Sequence, residues 1–122
     1  MGEFKQEILK INNRVNMLVF DQGLLSQRVD VLGDKAVITA VNRRVSVLSI
    51  SQEMDQNTTE IMDRMLILRF KTLFIQEVSL WLGLKVVALL KDYDPVTEIT
   101  ISVAIFERPI QELLPALGLP EQ

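Results

Sequence analysis

The sequence predicts a mainly α-helical chain: an N-terminal coiled-coil helix, a further long apolar helix, and a small C-terminal α+β element whose single strand pairs between molecules. Three observations predict it. Across residues 8–32 apolar side chains recur every three or four positions, across 61–90 they crowd every face, and across 98–106 they alternate. The predicted organisation is a coiled-coil helix over 1–33, helical segments forming a bundle core over 34–91, and a strand with a short helix over 92–122.

The first segment reads as a heptad seam. With Ile8, Val15, Gln22, Val29 and Ala36 at a and Ile11, Leu18, Leu25 and Leu32 at d, eight of nine positions are apolar. β-branched a residues with Leu at d favour two parallel strands. Val19 widens the stripe and Gln22 loosens the core, both of which favour three or more. The flanking charges, with Glu7, Arg14, Asp21, Arg28 and Lys35 on one side and few partners on the other, do not select an orientation.

An Arg-Val-x-x-Leu pattern at Arg14, Arg28 and Arg44 is spaced by fourteen and then sixteen residues, so the heptad register breaks near Gly33-Asp34. Gly supplies a left-handed cap and Asp an N-cap, which predicts a helix end, a short turn and a new helix. Residues 37–50 are rich in β-branched side chains and fit a hairpin around Asn42-Arg43-Arg44. The three-and-four spacing of Ile38, Val41, Val45 and Leu48 favours helix.

Residues 51–60 turn polar, and Thr58 or Thr59 is placed to cap a third helix. In that helix Ile61, Leu68, Ile75, Leu82 and Leu89 fall seven apart, yet Leu66, Phe70, Phe74, Trp81 and Val86 make the other faces apolar too. Such a helix must be surrounded. A membrane would do so, but Arg69, Lys71, Glu77 and Lys85 interrupt the run, each costing about 2.5 to 3.5 kcal/mol at mid-bilayer, which favours a protein bundle. Asp94-Pro95 ends the segment. The strand that follows sets Ile99, Ile101, Val103 and Ile105 on one side and Thr100, Ser102 and Ala104 on the other. With helix predicted elsewhere it has no internal partner, so its ladder is expected to be completed by a copy or by a second protein. Pro109 opens a short helix, and Pro115, Gly118 and Pro120 finish the chain.

Composition narrows the chemistry. The 122 residues carry a net charge of −3, without the basic cluster that nucleic-acid binders use. With no Cys and no His, Ser-His-Asp and Cys-His catalysis and most zinc arrangements are excluded. Asp92, Asp94 and Glu98 are the one acidic group of interest, as hard-cation ligands or as an acid and base pair, but they read more simply as turn and strand-capping residues. Trp81 and Tyr93 are candidate interface anchors, with a single core Trp the simpler reading. No catalytic, cofactor or metal residue is predicted, and the absence of a signal-like N-terminus makes the cytoplasm the default expectation.

At 48% hydrophobic residues, such a helical chain has more apolar surface than one copy can cover. The expected function is therefore that of a non-enzymatic structural or assembly subunit, a dimer, trimer or higher oligomer of itself. The seam residues Ile8, Ile11, Val15, Leu18, Gln22, Leu25, Val29 and Leu32 would hold it together, with Ile61, Leu68, Ile75, Leu82 and Leu89. Stalk and scaffold components, viral and phage ones among them, have this arrangement. The alternative is a membrane-associated protein anchored through residues 61–90.

Overall fold

A computed structural model describes residues 1–42 and 56–119; for residues 56–59 it describes the backbone alone. The chain is an α+β protein, which corrects the mainly α expectation. In order it forms α1 (Gly2–Phe20), β1 (Ser26–Leu32), β2 (Lys35–Val41), α2 (Gln56–Leu82), β3 (Val86–Asp94), β4 (Ile99–Phe106), α3 (Ile110–Leu113) and a 3-10 turn (Pro115–Leu117). The strands make one antiparallel sheet in the order β1-β2-β4-β3.

The predicted N-terminal helix is real only to Phe20. Asp21 takes a left-handed conformation, φ 58°, and its N–H donates to the Met17 carbonyl at 2.9 Å, closing the helix. Three asparagines on α1 then fix the reversal. Asn16 Nδ2 donates to the Gln22 carbonyl at 2.8 Å, Asn13 Oδ1 accepts from the Leu24 N–H, and Asn12 Nδ2 donates to Gln27 Oε1 at 3.1 Å. Gln27 in turn donates to the Leu9 carbonyl at 3.0 Å, so the first strand is tied to the side of the helix that precedes it.

From Ser26 the chain alternates instead of coiling: Gln27, Val29 and Val31 turn towards the helices, and Arg28, Asp30 and Leu32 away. Gly33 and Asp34 form a two-residue hairpin loop rather than a junction between helices. Gly33, with φ 61°, holds the first loop position, where a tight hairpin turn demands a left-handed residue. Residues 37–41, predicted as helix, are strand β2; the rest of that predicted helix, 43–50, lies outside the described residues. Gly83, φ 65°, ends α2 with its N–H on the Ser79 carbonyl, so residues 86–90 belong to β3 and not to a helix running to Leu90.

α1 and α2 pack against each other and lie on one face of the sheet. The core is a single cluster running from Phe4 to Leu114, with residues from all three predicted segments. Phe4, Ile8, Ile11 and Val15, spaced by four, three and four, are the buried stripe of α1. Phe70, Phe74 and Val78 are that of α2, with the Phe70 ring stacked near Phe20 and Phe74 at 6.2 and 5.9 Å. Phe4 meets Phe106 edge-to-face at 5.9 Å, and the Ile110 and Phe106 amides donate to the carbonyls of Gly33 and Asp34, docking the C-terminal turn onto the first hairpin.

The β4 strand was expected to pair outside the chain; it is instead a central strand, with β2 on one side and β3 on the other. Its ladder is internal. The sequence reading missed three strands, 26–32, 35–41 and 86–94; the β-branched run of 35–41 fits both periods and is decided by pairing.

The exposed and buried halves of the former seam give a direct test. Ile8→Ala should cost about 2 to 5 kcal/mol in chemical denaturation, because it empties a site with no exposure. Leu18→Glu and Leu25→Glu, at positions more than half exposed, should change stability by only about 0.5 kcal/mol. Large losses at those two positions would restore the coiled-coil reading of residues 8–32.

Candidate functional site

Both helices lie on one side of the sheet, and among the described residues nothing lies on the other. On that open face the register forms rows across all four strands: Asp30, Val37, Val103 and Leu90 in one, Arg28, Thr39, Ile101 and Asp92 in the next, and Ser26, Val41, Ile99 and Asp94 in a third. The middle two strands therefore carry a band of Val37, Val41, Ile99, Ile101, Val103 and Ile105, and polar and charged residues sit mainly on the outer strands. Ile101 keeps 46% of its surface and Leu90 58%. An apolar centre with a charged rim is the anatomy of a protein interface.

The opposite side of β3 carries a second feature. Residues Leu89, Lys91 and Tyr93 alternate towards α2, and Lys91 lines a groove of about 380 Å³ between that helix and the strand. Glu60, Asp63, Arg64, Ile67, Leu68 and Lys71 of α2 and Asp92 and Tyr93 of β3 complete the lining. The Lys91 ammonium sits 3.9 Å from the centre of the Phe70 ring and 3.3 Å from Ser102 Oγ. Burial there lowers its pKa from 10.5 to about 7, because the charged form loses its water while the ring face and one hydroxyl return only part of that solvation. The lining mixes three cations with three carboxylates, so the groove has no single charge preference.

The sequence-predicted residues divide between these surfaces. Ile8, Ile11, Val15, Val29 and Leu89 are inside the protein's own core, whereas Leu18, Leu25, Leu32, Ile61 and Leu68 are exposed and Gln22, Ile75 and Leu82 half-buried. They do not form one interface. The strand residues Ile99, Ile101, Val103 and Ile105 do stay together, on the open face. Val37, Val41 and Leu90 join them there, and the sequence reading missed all three because it placed them on helices. Lys91 was missed as well; one charge at the end of a long apolar run was its only signal.

Other candidates resolve into structure. Asp94 accepts hydrogen bonds from the Val96 N–H and Thr97 Oγ1, at 3.1 and 2.9 Å, which commits its carboxylate to the β3–β4 turn. Asp92 Oδ1 accepts from the Tyr93 N–H. Among the described residues no group of three or more acidic side chains is arranged to hold a metal ion. Trp81 is 58% exposed, contrary to a core reading; its Nε1–H donates to Glu77 Oε2 at 2.7 Å and its ring lies 5.0 Å from the Arg14 guanidinium, joining α1 to α2. No described helix is long and apolar enough to cross a membrane. No family model, curated protein or solved structure matches the chain.

Lys91 makes stability depend on pH in a defined direction. The unfolded chain binds more protons than the folded one between about pH 7 and 10.5, so stability should rise across that window; the full penalty applies below it. Lys91→Met keeps the Phe70 contact and removes the charge. It should stabilise the protein by on the order of 1 kcal/mol at pH 7 and flatten the slope between pH 7 and 9, read from urea midpoints. An unchanged slope would show that Lys91 is not the titrating group.

Proposed function

We propose that this chain is a non-enzymatic assembly subunit that binds a second copy of itself through the open face of its sheet. The observation that supports this most directly is the aliphatic band on β2 and β4, six Val and Ile side chains in adjacent rows. Each large aliphatic side chain taken from water is worth about 1.5 to 3 kcal/mol on full burial, so even partial burial of the band offers a substantial driving force. Two such faces stacked about 10 Å apart make a β-sandwich core, with the helices left outside as outer layers. The assembly role is the one the composition suggested. Its surface is different: the β4 residues thought to pair edge to edge would act through their side chains, and the N-terminal stripe holds the monomer together.

Sedimentation across the micromolar range, without detergent, tests this reading. The unaltered chain should sediment as a dimer. Ile101→Glu should give a monomer whose far-UV circular dichroism and thermal midpoint stay close to those of the parent, since the side chain is already nearly half exposed. A monomeric parent, or an Ile101→Glu chain that remains dimeric, would sink the proposal.

A further inference from the structure

We infer that in this dimer the two-fold axis runs parallel to the strands, so that Arg28 of each copy lies over Asp92 of the other. The inference rests on the face-to-face reading above and adds the orientation that reading leaves open. Two sheets packed with their strands aligned and related by a two-fold axis in the plane between them can meet in two ways. If the axis lies across the strands, each β3 strand faces the partner's β3 strand. If it lies along them, β3 faces β1 and β4 faces β2.

Charge separates the two. On the open face β3 carries Asp92 and Asp94, and among the described residues no cation lies within ion-pairing distance of either carboxylate. The β1–β2 half carries Arg28 and Lys35. Arg28 pairs with Asp30 at 3.3 Å and Lys35 with Asp34 at 2.7 Å, but these are exposed contacts, weak enough to exchange for an acid brought in by a partner. An axis across the strands would set four carboxylates edge to edge as the faces lose water. An axis along the strands sets each acidic edge over the half that holds the cations.

The row assignments then choose the pair. Arg28 is opposite Thr39, Thr39 opposite Ile101, and Ile101 opposite Asp92, so Arg28 and Asp92 end the same row. Rotation about an axis along the strands exchanges the two ends of a row, bringing Arg28 over the partner's acid and repeating the contact by symmetry. Like-charge placement is what discriminates between orientations of otherwise similar apolar faces.

The chain contains no cysteine, so one introduced thiol is unique. Full-length Arg28→Cys and Asp92→Cys chains are mixed at equal concentration, allowed to exchange, and treated with a short bismaleimide. Cross-links joining the two different chains, with little product in either chain alone, are expected. Arg28→Cys joined mainly to itself, or Asp92→Cys joined mainly to itself, overturns the orientation while leaving the face-to-face reading intact. A second measurement uses charge. Arg28→Asp and Asp92→Arg should each weaken self-association by roughly tenfold, and an equimolar mixture should recover it, because both pairs are rebuilt only in the mixed dimer. Failure of the mixture to recover, with each variant folded, also overturns the orientation. If the unaltered chain is monomeric throughout the range, the face is covered by some other occupant and both inferences fall together.

Discussion

Four strands hydrogen-bonded in the order β1-β2-β4-β3 present two faces, and the described helices lie on one of them. Everything else follows from that asymmetry. The covered face takes Ala36, Ile38, Ala40, Ala104 and Phe106 from the strands, small residues mostly, which lets the large side chains of α1 and α2 approach closely. The open face takes the β-branched residues of the same two central strands. A half-buried sheet ordinarily alternates apolar with polar, and here β4 alternates the other way, with Thr100 and Ser102 inside and isoleucines outside.

That inversion shapes the interior. Thr100 Oγ1 donates to Asn42 Oδ1, and the Asn42 N–H donates to the Glu98 carbonyl, so the buried hydroxyl is satisfied where β2 ends. Ser102 receives the Lys91 ammonium. Polar groups on the covered face are thus accommodated by specific partners at the edge of the core, which costs less than leaving them bare in an apolar layer. The groove beside Lys91 is one consequence. A lysine with an amine poised to lose its proton near neutrality is held there by packing against Phe70, a contact set by the position of α2 over β3.

On β3, Asp92 stands in the open-face rows and Lys91 turns towards α2, while Asp92 also borders the groove. Neighbouring residues on one strand therefore serve different surfaces. Asp92 is the residue the two surfaces share, whereas the apolar band on β2 and β4 takes no part in lining the groove.

The sequence by itself determined the helical spacing of Ile8, Ile11 and Val15, the apolar character of 61–82, the strand at 99–106 and the turn at Asp94-Pro95, because each rests on local spacing or on the geometry of one residue; that this stripe includes Phe4 and faces the protein's own core was decided by the fold. The sequence also brought Ile99, Ile101, Val103 and Ile105 to a common side. Only the tertiary structure decided that residues 26–32 and 35–41 are strands. Val29 with Leu25 and Leu32 satisfies a helical spacing, and Val29 with Val31 satisfies alternation, so short runs of this kind carry both patterns at once. Pairing with a distant strand selects between them, and β2 gains its second ladder from β4, whose paired residues lie 58 to 70 positions later. Once β2 is a strand, β4 no longer needs a partner from outside and the isoleucines of β4 become part of a face instead of an edge.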